Sequence, residues 1–144
     1  MNAVESAADI RARRIACLER MLEARRKGDI HALLDECTED VSYRVMGRLG
    51  DRPLMTHLEG KGRLRAELGG VFERWDWTDI AVNRILYDGD HAVAEASGKK
   101  TYRVTGQAFE DSMCLVFEFS EEKVRAIREY FDTFTVVRVG GFSM

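Results

Sequence analysis

The chain has 144 residues, of which 45% are hydrophobic and 33% are charged, with 22 Lys and Arg against 25 Asp and Glu. This length and composition suit one soluble domain over residues 1–144, and a net charge of -3 gives no electrostatic reason to expect nucleic acid or an anionic membrane as a partner. The three cysteines lie far apart and no apolar run resembles a signal or a membrane span, which argues against a disulfide framework and favours a reducing cytoplasm.

Three helices are predicted in the first half of the chain. Apolar residues recur at helical spacing over residues 17–22 and again over 30–37, and Gly28 and Asp29 between these segments can end the first helix and cap the second. The third helix has the strongest periodicity in the chain, with five apolar residues on one face: Leu64, Leu68, Val71, Phe72 and Trp75. Residues 41–45 alternate as a short strand, and residues 47–60 show no clear period and are interpreted as a functional or mobile loop.

Four antiparallel strands are predicted from Trp77 onward. Alternation from Trp77 to Leu86 leads into the turn YDGDH, a second strand follows from His91, residues 113–119 mark a third, and the last runs on from Val124. Helices followed by hairpin-linked strands are typical of an α+β domain with one curved sheet covered by helices on one face. The other face also carries apolar residues, so we expect a homodimer through the sheet.

The second of these strands carries only small residues on one face: Ala92, Ala94, Ala96 and Gly98. Small residues leave space above a sheet. Large side chains of the third helix, such as Phe72 and Trp75, can fill that space as ordinary core, or it can remain as an internal pocket. The pattern favours the filled core and leaves the pocket open as the alternative.

The stretch IREYFDT, residues 127–133, poses the question of which line of side chains faces inward. As a strand it places Arg128, Tyr130 and Asp132 on one face and the residues between them on the other. An inward Asp132 would need hydroxyls, water or ligand around it and would be a natural proton donor or acceptor, whereas an outward one would simply be hydrated. Tyr43 lies on the apolar line of its own strand, so its ring is expected inside, with its hydroxyl bonded.

The order of elements, together with GQAFEDSMCLVFEFSEEKVRAIREYFDT, resembles the NTF2-like superfamily of cone-shaped α+β domains. Within it the chain is similar to SnoaL-like polyketide cyclases and their ketosteroid-isomerase and limonene-epoxide-hydrolase relatives. The resemblance covers nearly the whole chain. It implies a curved, mixed, largely antiparallel sheet, three helices covering one face, and an internal pocket that the last strand's Asp enters.

The resemblance also implies roles for single residues. Asp132 falls where the cyclases place an acid/base Asp and the epoxide hydrolases a water-activating Asp, and Tyr43 matches a water-holding Tyr of the hydrolases. Val45 stands at the position of the isomerases' base and the hydrolases' Asn, and Ala96 and Gly98 stand where the hydrolases carry an Arg and a second Asp. Activating a water needs several hydrogen-bonding groups, and valine, alanine and glycine have no polar side chain. Epoxide hydrolysis by that mechanism is therefore disfavoured.

We therefore predict a cofactor-independent lyase or isomerase that moves a proton on an apolar or aromatic, polyketide- or steroid-like molecule. The alternative is a non-catalytic ligand-binding or dimeric assembly domain of the same fold. Asp132 is the predicted acid or base, with Tyr43 or Tyr130 as its hydroxyl partner. The predicted substrate-binding residues are Tyr130, Arg128, Phe72, Trp75, Trp77, Ala96, Gly98 and Val45. No metal is predicted, because the three histidines lack a metal-binding spacing.

Overall fold

A six-stranded sheet organises the computed structural model, which describes residues 4–140. Of the eight strands within these residues, six form this sheet: β1 (Cys37–Val45), β4 (Leu58–Glu59), β5 (Trp75–Asp88), β6 (His91–Tyr102), β7 (Ala108–Ser120) and β8 (Lys123–Tyr130). They lie in the order β4-β1-β8-β7-β6-β5, with β1 and β8 parallel and the other neighbours antiparallel. The sheet is therefore mixed and largely antiparallel, as predicted. The short strands β2 (Arg48–Leu49) and β3 (Arg52–Pro53) form a separate hairpin in the segment interpreted as a loop.

The three predicted helices of the first half of the chain are present: α1 (Ala7–Lys27), α2 (Ile30–Asp35) and α3 (Lys61–Arg74). Cys37 and Trp75, predicted at the ends of the second and third helices, instead begin β1 and β5. Gly28 ends α1 in a left-handed conformation, with φ of 72°, and Asp29 caps α2 by accepting the Ala32 N–H at 3.0 Å. Both predicted signals are confirmed. No helix within residues 4–140 is long and apolar enough to cross a membrane.

The core lies between the helices and one face of the sheet. Its most deeply buried large side chains come from both layers: Leu18, Met21, Leu34, Val41, Leu58, Leu64, Leu68, Leu115, Phe117, Phe119 and Val124. The small residues Ala92, Ala94 and Ala96 of β6 are buried on this inner face. Their size lets the helix layer approach the centre of the sheet closely.

A fourth helix, α4 (Thr133–Gly140), follows the last strand. The expectation that this strand simply continues is wrong beyond Tyr130, where the chain leaves the sheet. Val136, Val137 and Val139 are buried by the helical turn, although β-branched residues favour strands. Tertiary packing outweighs that preference here, and α4 closes one end of the space between the layers.

Candidate functional site

A cavity of about 220 Å³ lies between the inner face of the sheet and the helices α3 and α4. Most of its wall is apolar: Val45, Leu54, Met55, Val71, Trp75, Trp77, Tyr102, Phe131 and Val136. Leu54 and Met55 come from the segment between β3 and β4, so part of the predicted loop folds over the cavity. Six polar side chains also line it: the buried Arg25, Tyr43, Lys100 and Glu129, and the exposed Glu67 and Arg74 of α3.

Arg25 and Glu129 form a buried ion pair in the cavity wall. The Arg25 Nε lies 3.1 Å from Glu129 Oε1, and the two side chains are only 9% and 4% exposed. Arg25 lies in the last turn of α1, where its guanidinium stacks over the Trp77 ring at 4.2 Å. The pair therefore joins the first helix to the last strand, and each buried charge has its counter-charge.

Tyr43 lies on β1, the strand beside β8, and its ring is buried as predicted. Burial raises the pKa of the Tyr43 hydroxyl well above its usual range, and the negative charge of Glu129 and a hydrogen bond to it act in the same direction. The hydroxyl is therefore a hydrogen-bond donor throughout the neutral range. The prediction of an inward Tyr43 with a bonded hydroxyl is confirmed, although its partner is Glu129.

A second buried ion pair joins Lys100 of β6 to Asp111 of β7. The Lys100 Nζ lies 2.6 Å from Asp111 Oδ2, with the side chains 4% and 1% exposed, and 4.3 Å from the centre of the Phe131 ring. Asp111 Oδ1 also accepts the backbone N–H of Asp132 at 3.3 Å. Burial lowers the pKa of Lys100, while the hydrogen bond and charge of Asp111 oppose that shift.

The side chain of Asp132 does not enter the cavity. It is exposed and caps α4, where Oδ1 accepts the Thr135 N–H at 3.0 Å and Oδ2 accepts the Thr135 hydroxyl at 2.6 Å. These two hydrogen bonds lower the pKa of the Asp132 carboxyl. Expecting an interior Asp132 was wrong because β8 ends at Tyr130, so the alternation of the strand no longer fixes where residue 132 points.

The other predicted site residues divide into two groups. Val45, Trp75 and Trp77 line the cavity, and Phe72 packs behind them with its ring edge-to-face on Trp77 at 5.1 Å. Tyr130 is 45% exposed, and Arg128 shares the outward face of β8. Placing Tyr130 and Arg128 inside was wrong, because the inward line of β8 is that of the buried Ile127 and Glu129.

Ala96 and Gly98 are not part of the cavity wall. Ala96 lies on the inner face of β6 beside a separate groove between α1 and β5. Gly98 has φ of 147°, and a Cβ added there would lie 2.2 Å from the Asp79 carbonyl oxygen. Its small size therefore serves the close approach of β5 to β6 and not an enlarged pocket.

Sequence reasoning missed four polar residues: Arg25, Lys100, Asp111 and Glu129. Each stands where the pattern predicts an apolar, inward side chain, and such interruptions are the signal that can find them. Glu129 follows Ile127 by two positions on β8, Asp111 precedes Met113 by two on β7, and Arg25 follows Met21 by one turn of α1. A charged side chain on the inward face of a strand is unfavourable unless a buried counter-charge or hydrogen bond compensates it. Such a residue therefore indicates a buried polar cluster.

Comparison with known proteins gives a family and a fold. The family model described as a SnoaL-like domain matches residues 18–127, and no curated protein matches the chain. The chain is similar to the solved structure of an NTF2-like protein from Burkholderia xenovorans LB400, with 23% identity, a TM-score of 0.72, and 89% of this chain and 95% of that chain covered.

Two further solved structures share the fold. A candidate SnoaL-like polyketide cyclase from Jannaschia sp. CCS1 is 14% identical, with a TM-score of 0.76 and with 99% of this chain and 100% of that chain covered. An LEH-like epoxide hydrolase from M. tuberculosis is 20% identical, with a TM-score of 0.69 and 88% of each chain covered. At these identities the likeness shows the cone-shaped α+β fold and nothing about the reaction.

Proposed function

Because the chain belongs to the SnoaL-like domain family, we propose that it is a cofactor-independent lyase or isomerase that moves a proton on a small apolar or aromatic molecule. The reaction would be an aldol-type cyclisation or an isomerisation within the cavity. The observation that carries the proposal is the Glu129 carboxylate, which is only 4% exposed yet lines that cavity. A carboxylate held away from water inside an apolar cavity is a natural acid or base.

In this proposal Glu129 takes the acid/base role that the family resemblance implies for Asp132. Its carboxylate can accept a proton from a carbon next to an electron-withdrawing group of the ligand. Arg25 balances the charge of Glu129, and the Tyr43 hydroxyl beside them can donate to an oxygen on which negative charge develops. These three side chains come from α1, β1 and β8, so the reaction depends on the assembled fold.

The cavity volume narrows the substrate class. Ordinary ligand pockets measure about 300–1,000 Å³, and this cavity measures about 220 Å³. A one- or two-ring molecule suits that space better than a four-ring steroid. Trp75 and Trp77, the chain's two tryptophans, both line it, so flat aromatic ligands have rings to pack against and intrinsic fluorescence reports on the cavity.

The test uses 2-tetralone, a two-ring ketone with exchangeable C–H groups, as the probe. Binding is followed by tryptophan fluorescence, and proton transfer by NMR as the exchange of deuterium from D2O into the bound ketone. We expect Glu129→Gln to slow enzyme-dependent exchange by about 100-fold or more while binding changes little, because Gln keeps a hydrogen bond to Arg25. Asp132→Asn, at an exposed carboxyl nearby, is the matched control and should exchange like the wild type.

Exchange by Glu129→Gln at the wild-type rate would contradict the proposal, and loss of exchange only in Asp132→Asn would restore the first assignment. Thermal unfolding of each variant separates a lost acid or base from a lost fold. The cavity has a second candidate function, a non-catalytic ligand-binding domain, favoured by the apolar Val45 in its wall and by the pairing of Glu129, its buried carboxylate, with Arg25. Binding of the ketone without any exchange in the wild type would select it.

A further inference from the structure

We propose that Lys100 is a nucleophile that forms an imine with an aldehyde or ketone held in the cavity. This activity goes beyond the proton transfer assigned to Glu129, which does not require Lys100. It rests on the proposed function in one respect, that the cavity binds a small molecule. It also names the substrate class, a neutral carbonyl compound.

The position of Lys100 supports this role. Its side chain is 4% exposed, yet it lines the cavity from the inner face of β6. An ammonium group has three hydrogen-bond donors. Asp111 Oδ2 lies 2.6 Å from the ammonium as an ion pair, and the centre of the Phe131 ring lies 4.3 Å from it. Within residues 4–140 no further acceptor for the ammonium donors is found, so a ligand oxygen in the cavity can accept one.

The surroundings of Lys100 suit a nucleophile better than a purely structural ion pair. Replacing a buried ion pair by apolar residues is often neutral or stabilising, so stability alone does not call for this pair. Burial lowers the pKa of Lys100, which raises the fraction of neutral amine, the form that attacks a carbonyl. Lys99 beside it is 52% exposed and lacks this environment.

Imine formation needs no atoms or protons other than those of Lys100, Asp111 and the ligand. Lys100 gives a proton to Asp111, and the neutral amine adds to the carbonyl carbon to form a carbinolamine. Asp111 then returns the proton to the carbinolamine hydroxyl, which leaves as water, and the carbon–nitrogen double bond forms as a protonated imine. Nothing is oxidised or reduced, and no co-reactant is needed. Asp111 suits this shuttle because its other oxygen is already held by the Asp132 N–H.

The charges in the site favour an uncharged ligand. Arg25 and Lys100 balance Glu129 and Asp111, so the cluster is electrically neutral before anything binds. A carboxylate or phosphate ligand would leave an uncompensated charge away from water. A protonated imine withdraws electrons from the neighbouring C–H bonds, and Glu129 lines the same cavity, so imine formation would assist the proposed proton transfer.

The test is reductive trapping. The protein is incubated with 2-tetralone and sodium cyanoborohydride near neutral pH, and the modified lysine is located by mass spectrometry of its peptides. We expect one adduct at Lys100, forming at least about 10-fold faster than at the adjacent, exposed Lys99, which is the internal control. Lys99→Met should leave the adduct in place. Lys100→Met/Asp111→Leu, which removes both charges of the pair together, should abolish it while fluorescence still reports binding.

The outcomes separate this inference from the proposed function. Adducts spread over exposed lysines, with Lys100 no faster than Lys99, would overturn the inference and leave the role of Glu129 intact. An adduct at Lys100 without any deuterium exchange would support the inference and contradict proton transfer. A probe that neither binds nor adds would contradict both. The wild-type comparison of Lys100 with Lys99 decides the question even if the double variant fails to fold.

Discussion

Glu129 and Asp132 are three positions apart and face entirely different surroundings. Glu129 belongs to the inward line of β8 and meets Arg25 inside the protein, whereas Asp132 follows the end of the strand and bonds the first turn of α4. Strand residues alternate between faces, but this rule stops where the strand stops. The buried carboxyl in the cavity wall is therefore that of Glu129, and the carboxyl of Asp132 caps α4.

This helix cap gives a prediction for Asp132→Ala. Loss of a helix N-cap should lower the free energy of unfolding by about 1 kcal/mol near neutral pH. The pKa of Asp132 is lowered from 3.8 in the folded protein, so its contribution is present above that value and is lost as the pH falls through the folded pKa. Urea unfolding near pH 7 and at successively lower pH checks this, since the difference between the wild type and the variant should shrink as the pH falls below 3.8. Asp132→Asn, which can still cap, should stay close to the wild type near pH 7, and an equal loss in both variants would contradict the cap.

At the scale of elements, the pairing of β5 with β6 depends on Gly98. The register of this pair shifts on both sides of Ile80, the residue opposite Gly98. Gly98→Ala would place a methyl group 2.2 Å from the Asp79 carbonyl oxygen at a φ that disfavours side chains, so it should destabilise the protein by about 1–3 kcal/mol. Gly69→Ala is the control, because an added Cβ meets nothing within 4 Å and glycine in a helix costs about 0.5–1 kcal/mol relative to alanine. Chemical unfolding should move the two variants in opposite directions, and equal stability would show that β5 can withdraw from β6 freely.

The sequence predicts an element well where its apolar pattern repeats several times within one continuous segment. The helices α1 to α3 and the long strands repeat their pattern often enough to be recognised, and Gly28 and Asp29 mark a boundary between helices by their own chemistry. The helix α4 has eight residues rich in valine, so propensity indicates a strand. Its available signal was Asp132, an N-cap residue whose carboxylate accepts the N–H three positions later.

At the scale of the whole molecule, the site escapes prediction because its partners are distant in sequence. Arg25 and Glu129 are separated by 104 positions, and nothing near Glu129 indicates that a counter-charge from the first helix will reach it. A buried carboxylate without a counter-charge is unfavourable. Glu129 can therefore be assigned to the inward face of β8 only when Arg25 is known to lie opposite it. The resemblance to the family predicted the fold and placed Tyr43, Val45, Trp75 and Trp77 beside a pocket, where they lie, but it also placed Asp132 there, and the buried carboxyl in that wall is Glu129.

We propose that the outward face of the sheet packs against the same face of a second copy of the chain. Leu86, Val93 and Val116 stand directly opposite one another on β5, β6 and β7, and Leu86 is 50% exposed. A twofold interface would bring this apolar row against itself. Val116→Lys would then place like charges near the axis and should convert a dimer into a monomer in sedimentation velocity, whereas Ala66→Lys, on the exposed side of α3, should remain dimeric. A monomeric wild type, or a Val116→Lys variant that stays dimeric, would show that this face is not the interface.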